Sequence, residues 1–365
     1  MKKIIAAGVL LILCQQFTAF GKFSARVFNA HTYLEQESNL GLKDYYKSYF
    51  PVGASVSPFS LSGAEGDLIL RHFASLTAEN AMKMGPIHPE ENRYFWDNAD
   101  KIVNFASSNG LRMRGHTLCW HKQTPAWMFK NATGSVVTKE VLLARLKEHI
   151  QQVVTRYKGK VYAWDVVNEA VDDNGINVFR ETDWLKICGE EYIAKAFQWA
   201  HEADPDAKLF YNDYNTENPA KRDKIFKLLK GLIDAGVPIH GVGLQGHWSL
   251  NNPSEVNLRA AIEKFSSLGL KIQITELDIS VYTSDKEVAL PALTPDKEQK
   301  QIDQYKMVFR VFREYKSVIT GVTFWNLSDK SSWLDNFPVR GRKNYPLLFD
   351  QNLQPKKAFW EVMKF

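Results

Sequence analysis

The feature that most constrains this chain is a repeated alternation of two textures after residue 50. Short runs of apolar and β-branched residues are each followed by an amphipathic stretch of helical period. The strand candidates are Pro51–Ser57, Ser75–Asn80, Arg112–Trp120, Tyr162–Ala170, Lys208–Asn215, Gly241–Trp248, Lys271–Ser280 and Val318–Ser328. The clearest helical candidates are Thr138–Lys158, Asp183–Glu202, Pro219–Ala235, Glu255–Leu268 and Pro295–Lys316. Their apolar residues recur three and four apart, the spacing of one buried helix face. Eight strands alternating with helices predict an α/β chain forming a single (β/α)8 barrel rather than two domains. An open doubly wound sheet is the rival, but no phosphate-cradling glycine motif follows the first strand to support a dinucleotide version of it.

Composition narrows the class. Of 365 residues, 45% are hydrophobic and 24% charged, which is ordinary for a globular chain. A net charge of +5, with no basic run of five or more, leaves no nucleic-acid footprint. Lys2 and Lys3, the apolar run Ile4–Leu13, and the small residues Ala19 and Gly21 read as a signal peptide over residues 1–21. The expected mature domain is 22–365, exported to the periplasm or beyond, with 22–50 a partly helical lead-in. The apolar run is too short to span a bilayer. Cys14 raises lipid anchoring, but Leu13 before it is too bulky for the usual lipidation site. Cys119 and Cys188 remain after cleavage. An exported protein could pair them, but two buried free thiols are the simpler expectation.

In a barrel of this kind, functional residues gather at the C-terminal strand ends. Seven of the eight predicted strands end in carboxylates, amides, imidazoles or indoles. They close on Glu79-Asn80, His116 with Trp120-His121, Asn168-Glu169, Asn212-Asp213-Tyr214, Gln245-Gly246-His247, Glu276-Leu277-Asp278 and Trp325-Asn326. A barrel end serving stability alone would not need that chemistry at each strand. His116 and His121 lie five apart in a strand-like segment and so face opposite ways, and no third ligand has zinc-like spacing. Neither a metal nor an organic cofactor is expected. No G-x-S-x-G nucleophile elbow is present.

The stretches TAENAMKMGPIHPE, RGHTLCWHKQTPAW, WDVVNEA, NDYN, GVGLQGHW, ITELDIS, FWNLSDKSSW and YPLLFD occur in this order. With them, residues 40–365 resemble glycoside hydrolase family 10, the endo-1,4-β-xylanases, which share the (β/α)8, or TIM, barrel. The resemblance implies retaining hydrolysis of xylan and xylo-oligosaccharides. It makes Glu169 the general acid/base and Glu276 the nucleophile, with carboxyls expected about 5–5.5 Å apart. Ionised Glu276 should then hold the proton on Glu169, because neighbouring like charges resist joint ionisation. Asn168 is expected to donate to the sugar 2-hydroxyl, His247 to contact Glu276, and Asp278 to orient His247; Gln245 stands near the reacting centre.

Glu79, Asn80, Lys83, His116, Trp120 and Gln123 match glycone-side sugar contacts, with Trp325 and Trp333 as indole walls on the same side. Asn212 is also expected at the substrate. Tyr214 reads either as a stacking face on the leaving-group side or as a wall residue. His121 reads as a sugar contact or a supporting group behind one. Cys119 and Lys122 depart from the family pattern, and Lys122 adjoins Gln123. A retaining β-glucanase on the same barrel, or a glycan-binding barrel without activity, are the alternatives. A monomer is expected. If the leader is read correctly, N-terminal sequencing of exported protein will begin at Lys22; an intact Met1, or a lipid on Cys14, would refute it.

Overall fold

The computed structural model describes residues 40–173 and 175–365. The proposed leader, Cys14 and most of the lead-in lie outside the described residues. Eight parallel strands form a closed barrel: β1 (Val52–Val56), β2 (Ser75–Ala78), β3 (Arg112–Cys119), β4 (Val161–Asn168), β5 (Lys208–Asp213), β6 (Gly241–Leu244), β8 (Lys271–Ser280) and β9 (Ile319–Phe324). The order runs β6-β5-β4-β3-β2-β1-β9-β8, and β6 pairs with β8 to close the ring. Closure leaves no free sheet edge along the barrel.

The predicted sixth strand, Gly241–Trp248, is interrupted. Leu244 ends β6, and a short β7 (His247–Ser249) resumes beside β8, with His247 opposite Asp278. Gly246 sits at the interruption with φ +81°, a conformation that favours glycine. The break leaves Gln245 and His247 on either side of a turn at the strand end.

Helices clothe the outside of the barrel. Lys139–Arg156 begins where the Thr138 hydroxyl accepts from the Val141 amide. Pro219–Asp234 and Pro295–Glu314 each start with proline behind a capping side chain, Asn218 and Thr294. The expected single helix Asp183–Glu202 is two: Asp183–Cys188 and Glu191–Ala203. Gly189, at φ +65°, ends the first by donating its amide to the Leu185 carbonyl at 2.8 Å. Of the lead-in, Leu42–Tyr46 is helical. Cys119 and Cys188 are both buried and free.

Strand β4 carries Trp164, a fully buried indole. Its register partner across the ladder is Gly115 of β3. A Cβ on Gly115 would lie 2.1 Å from the Trp164 ring, so glycine leaves the space that the indole occupies. Inside the barrel Arg114 donates to both carboxylate oxygens of Asp165, through Nη1 at 2.6 Å and through Nη2, and donates from Nε to Gln273 Oε1 at 2.6 Å. A buried ion pair is tolerated where hydrogen bonds engage its charged atoms, and each Arg114 guanidinium nitrogen and both Asp165 oxygens are bonded here. Gly115→Ala should lower stability by about 1–3 kcal/mol through overpacking; urea unfolding measures it, and an unchanged midpoint would show that Trp164 can move aside.

Candidate active site

The C-terminal ends of the strands open into a cleft of about 530 Å³. Glu169 and Glu276 both line it. Glu169 follows β4 directly and has φ +58°, a left-handed backbone uncommon for a residue with a long side chain. Its amide donates to the Asn212 carbonyl at 2.9 Å. Its carboxyl accepts from Gln245 Nε2 at 3.0 Å and from Asn168 Nδ2 at 3.4 Å. Asn168 Oδ1 in turn accepts from Gln245 Nε2 at 3.2 Å and Asn212 Nδ2 at 3.0 Å. Turned over, the Asn168 amide would instead donate to the Asn212 backbone carbonyl at 3.1 Å and accept from the Trp120 indole at 3.2 Å. The first orientation fits the Asn212 and Gln245 amide donors, which are themselves fixed by carboxylates.

Glu276 sits within β8. Asn212 Nδ2 donates to its Oε1 at 2.8 Å, and His247 Nε2 donates to its Oε2 at 3.2 Å. His247 Nδ1 donates to Asp278 Oδ2 at 3.0 Å, and the Trp333 indole donates to the same oxygen at 2.8 Å. His116 Nδ1 stands 3.9 Å from Glu276 Oε1 while donating to Asp165 Oδ2 at 2.8 Å. Burial alone would disfavour an anion on Glu276, but His116, His247 and Lys83 outweigh it and hold its carboxyl down at about 2. Burial likewise opposes charge on His247, yet Asp278 and Glu276 raise it to about 10. Both ring nitrogens face carboxylates, so the imidazolium form matches the geometry.

The cleft walls gather most of the residues singled out from sequence. Glu79, Asn80, Lys83, His116, Trp120, Gln123, Tyr214, Trp325 and Trp333 all line it. Lys83 Nζ donates to Asn80 Oδ1 at 3.0 Å and lies 5.0 Å from the Trp120 ring and 5.7 Å from the Trp325 ring. Burial raises the Glu79 carboxyl, against the pull of Lys83, and lowers Lys83, against three nearby glutamates. Cation, amides, carboxylates and indoles together supply the donors, acceptors and flat faces that sugar rings need.

One expectation changes and two open readings narrow. Asn212 was expected at the substrate, but it is 0% exposed and lies behind the cleft. Its amide is filled by Glu276 and Asn168, and its oxygen accepts from Thr275 Oγ1 at 2.6 Å. It therefore sets the position of others. Tyr214 does reach the cleft, but its hydroxyl is engaged by Asp173 and by Arg180 at 2.7 Å, leaving its ring as the available surface. His121 stands 4.0 Å from Glu169 Oε2, with Nδ1 unpartnered and burial holding the ring down at about 4, which favours its role as a neighbour of that carboxyl.

Phe337 was not foreseen. It is 53% exposed, stacks on Trp333 with centroids 5.1 Å apart, and lines the cleft. Together with His247 and Trp333 it also borders an adjoining cleft of about 420 Å³ that extends toward Asn215, Ser249 and Tyr282. Phe337 lies between the FWNLSDKSSW and YPLLFD stretches and carries no sequence signal of its own. Among the described residues, no group of three His, Cys, Asp or Glu is placed to hold a metal ion, and no helix is long and apolar enough to cross a membrane.

A closed barrel whose strand ends bring carboxyls, amides and indoles into one sugar-sized cleft belongs to the class of glycoside hydrolases. The chain is a member of glycosyl hydrolase family 10, whose sequence profile matches residues 41–365. A β-1,4-xylanase of Dictyoglomus thermophilum is 54% identical over 325 residues, covering 89% of this chain and 90% of that protein. Endo-1,4-β-xylanase B of Paenibacillus barcinonensis is 50% identical over 319 residues, covering 87% and 96%. The crystal structure of a xylanase from Paenibacillus barcinonensis in complex with a conduramine derivative superposes with a TM-score of 0.87 at 49% identity, covering 88% of this chain and 98% of that one.

The charge state of Glu276 gives a direct test. His247→Gln removes a cation that favours the carboxylate, so the Glu276 titration should move to higher pH. Carbon-13 NMR of the labelled carboxyl follows it. An unmoved titration would mean that His247 does not set the charge.

Proposed function

We propose that the protein is an exported, monomeric endo-1,4-β-xylanase that acts by double displacement, with Glu276 as nucleophile and Glu169 as general acid/base. The observation that carries this reading is the asymmetry between the two carboxyls. Glu276 is buried, yet cationic and amide donors keep it ionised. Glu169 stands in the same cleft, where among the described residues its carboxyl accepts hydrogen bonds from the neutral amides of Gln245 and Asn168 and has the His121 ring 4.0 Å from its other oxygen. An anion kept ready by its surroundings suits attack, and a carboxyl held by neutral groups suits proton exchange.

In the first step a Glu276 oxygen forms a bond to the anomeric carbon while the glycosidic bond breaks. Glu169 gives its proton to the departing oxygen. The result is a glycosyl ester on Glu276 and an ionised Glu169. In the second step Glu169 takes a proton from water, whose oxygen displaces Glu276 at the same carbon. Two inversions return the β configuration. His247, fixed by Asp278, offsets negative charge on Glu276 as the ester forms and breaks. Asn168 is the amide closest in sequence to Glu169 and is suited to the sugar 2-hydroxyl.

Xylan as substrate draws support from the two named relatives, both xylanases. It also draws on the crowded set of Glu79, Asn80, Lys83 and Trp325, where bulk near the sugar C5 would exclude a hydroxymethyl group. Turnover on xylan should therefore far exceed that on carboxymethyl cellulose, and the reverse order would make the protein a β-glucanase. Glu276→Ala should cut hydrolysis by at least about 10⁴-fold, the scale on which loss of a nucleophile is felt, while xylo-oligosaccharides still bind. Proton NMR of the first wild-type product should show the β anomer; an initial α product would exclude double displacement.

A further inference from the structure

The residues that hold Glu169 from behind form a charged network that the two-carboxylate chemistry does not call upon. Arg180 Nε donates to the Glu169 backbone carbonyl at 3.1 Å. Its Nη2 donates to Asp173 Oδ2 at 2.9 Å and to the Tyr214 hydroxyl at 2.7 Å. The Arg180 amide donates to the Ala170 carbonyl at 2.8 Å, and the Asp172 amide to the Val178 carbonyl at 2.9 Å, so this segment folds back upon Glu169. Lys221, only 2% exposed, donates to Asp173 Oδ1 at 2.6 Å and bonds Asp213 Oδ1 at 2.8 Å. Tyr211 donates to the other Asp213 oxygen at 2.5 Å and accepts from the Val171 amide at 3.1 Å. Two cations and two anions thus form a balanced set with its hydrogen bonds largely filled, the condition under which buried charge is tolerated.

None of these bonds reaches the Glu169 carboxyl. Arg180 meets the residue through its backbone, at the position where φ is +58°. A left-handed conformation in such a residue persists only when its surroundings over-determine it. The bond to Asn212 fixes the peptide before the Glu169 α-carbon, and Arg180 fixes the peptide after it. We propose that Arg180, braced by Asp173 and Lys221, is a positioning residue that keeps the Glu169 carboxyl aimed at the leaving-group oxygen. This rests on the reading of Glu169 as general acid. Proton delivery works only within hydrogen-bond reach, and a displacement of about 1 Å can cost on the order of 10²-fold in rate.

Arg180→Lys keeps the charge but removes the Nε bond, and Asp173→Asn keeps the shape but removes the brace. The test is a series of aryl β-xylobiosides of like size with leaving groups from phenol to 2,4-dinitrophenol. A poor leaving group needs the proton and a good one does not. In Arg180→Lys, kcat/KM on the phenyl substrate should fall about tenfold or more, and at least five times further than on the dinitrophenyl substrate. Asp173→Asn should show the same steepening, to a smaller extent. A merely structural role would lower every substrate alike, with the melting temperature, and that result would overturn the proposal. So would a flat series in both variants. Glu169→Gln is the reference: its own series must steepen. If it does not, the assignment of Glu169 is what fails, and the positioning role falls with it. If it steepens while both variants stay parallel to wild type, only the positioning role falls.

Discussion

Arg114 and Asp165 bind each other inside the barrel, below the cleft floor, with neither side chain exposed. Much of the site above inherits its order from that pair. Asp165 accepts from Arg114 through both oxygens, and one of those oxygens also accepts from His116. His116 is thereby oriented beside Glu276. Asp165 Oδ2 accepts from His116 Nδ1, the ring nitrogen that also lies 3.9 Å from Glu276 Oε1, so a carboxylate orients this imidazole. On the far side of Glu276, Asp278 does the same for His247. The carboxyl is thus flanked by two imidazoles, each braced by its own aspartate. A charge that would be costly to bury is kept by neighbours whose geometry was settled in the core.

The barrel contributes more than a platform. Because the strands are parallel and closed, residues far apart in sequence arrive at one rim. Asn212 of β5 touches both Asn168 at the end of β4 and Glu276 of β8, and Gln245 links Asn168 to Glu169. These amides make the two glutamates part of one hydrogen-bonded set. The interrupted sixth strand helps. The turn at Gly246 separates Gln245, whose amide donates to Glu169, from His247, whose ring donates to Glu276.

Much of this was legible from residue order. Strand texture located the eight barrel strands, because parallel strands buried on both faces read as apolar runs. Polar residues clustered at their ends then marked the functional rim. What escaped were features decided by single glycines or by distant contacts. Gly189 splits a helix whose apolar period continues across it, so periodicity alone spans the break. Gly246 lies inside a motif that reads as one strand. Asn212 carries the chemistry of a sugar contact, and only its complete burial shows that its bonds are spent on other residues. Arg180, Asp173 and Lys221 meet from three separate segments, and nothing local in any of them announces the others. Phe337 is a lone aromatic in a proline-containing loop, with a pairing to Trp333 that no spacing rule encodes.

The backbone at Glu169 has a consequence for how such a protein can be improved. A left-handed residue with a long side chain costs on the order of 1 kcal/mol relative to glycine or asparagine. Substitutions that relax this position would raise the melting point and remove the carboxyl together. A selection for heat resistance alone would therefore favour the loss of the residue that the rim is arranged to present. With the role proposed for Glu169, stability and activity pull this position in opposite directions, so a library built for robustness would leave residue 169 untouched and look for its gains elsewhere in the barrel.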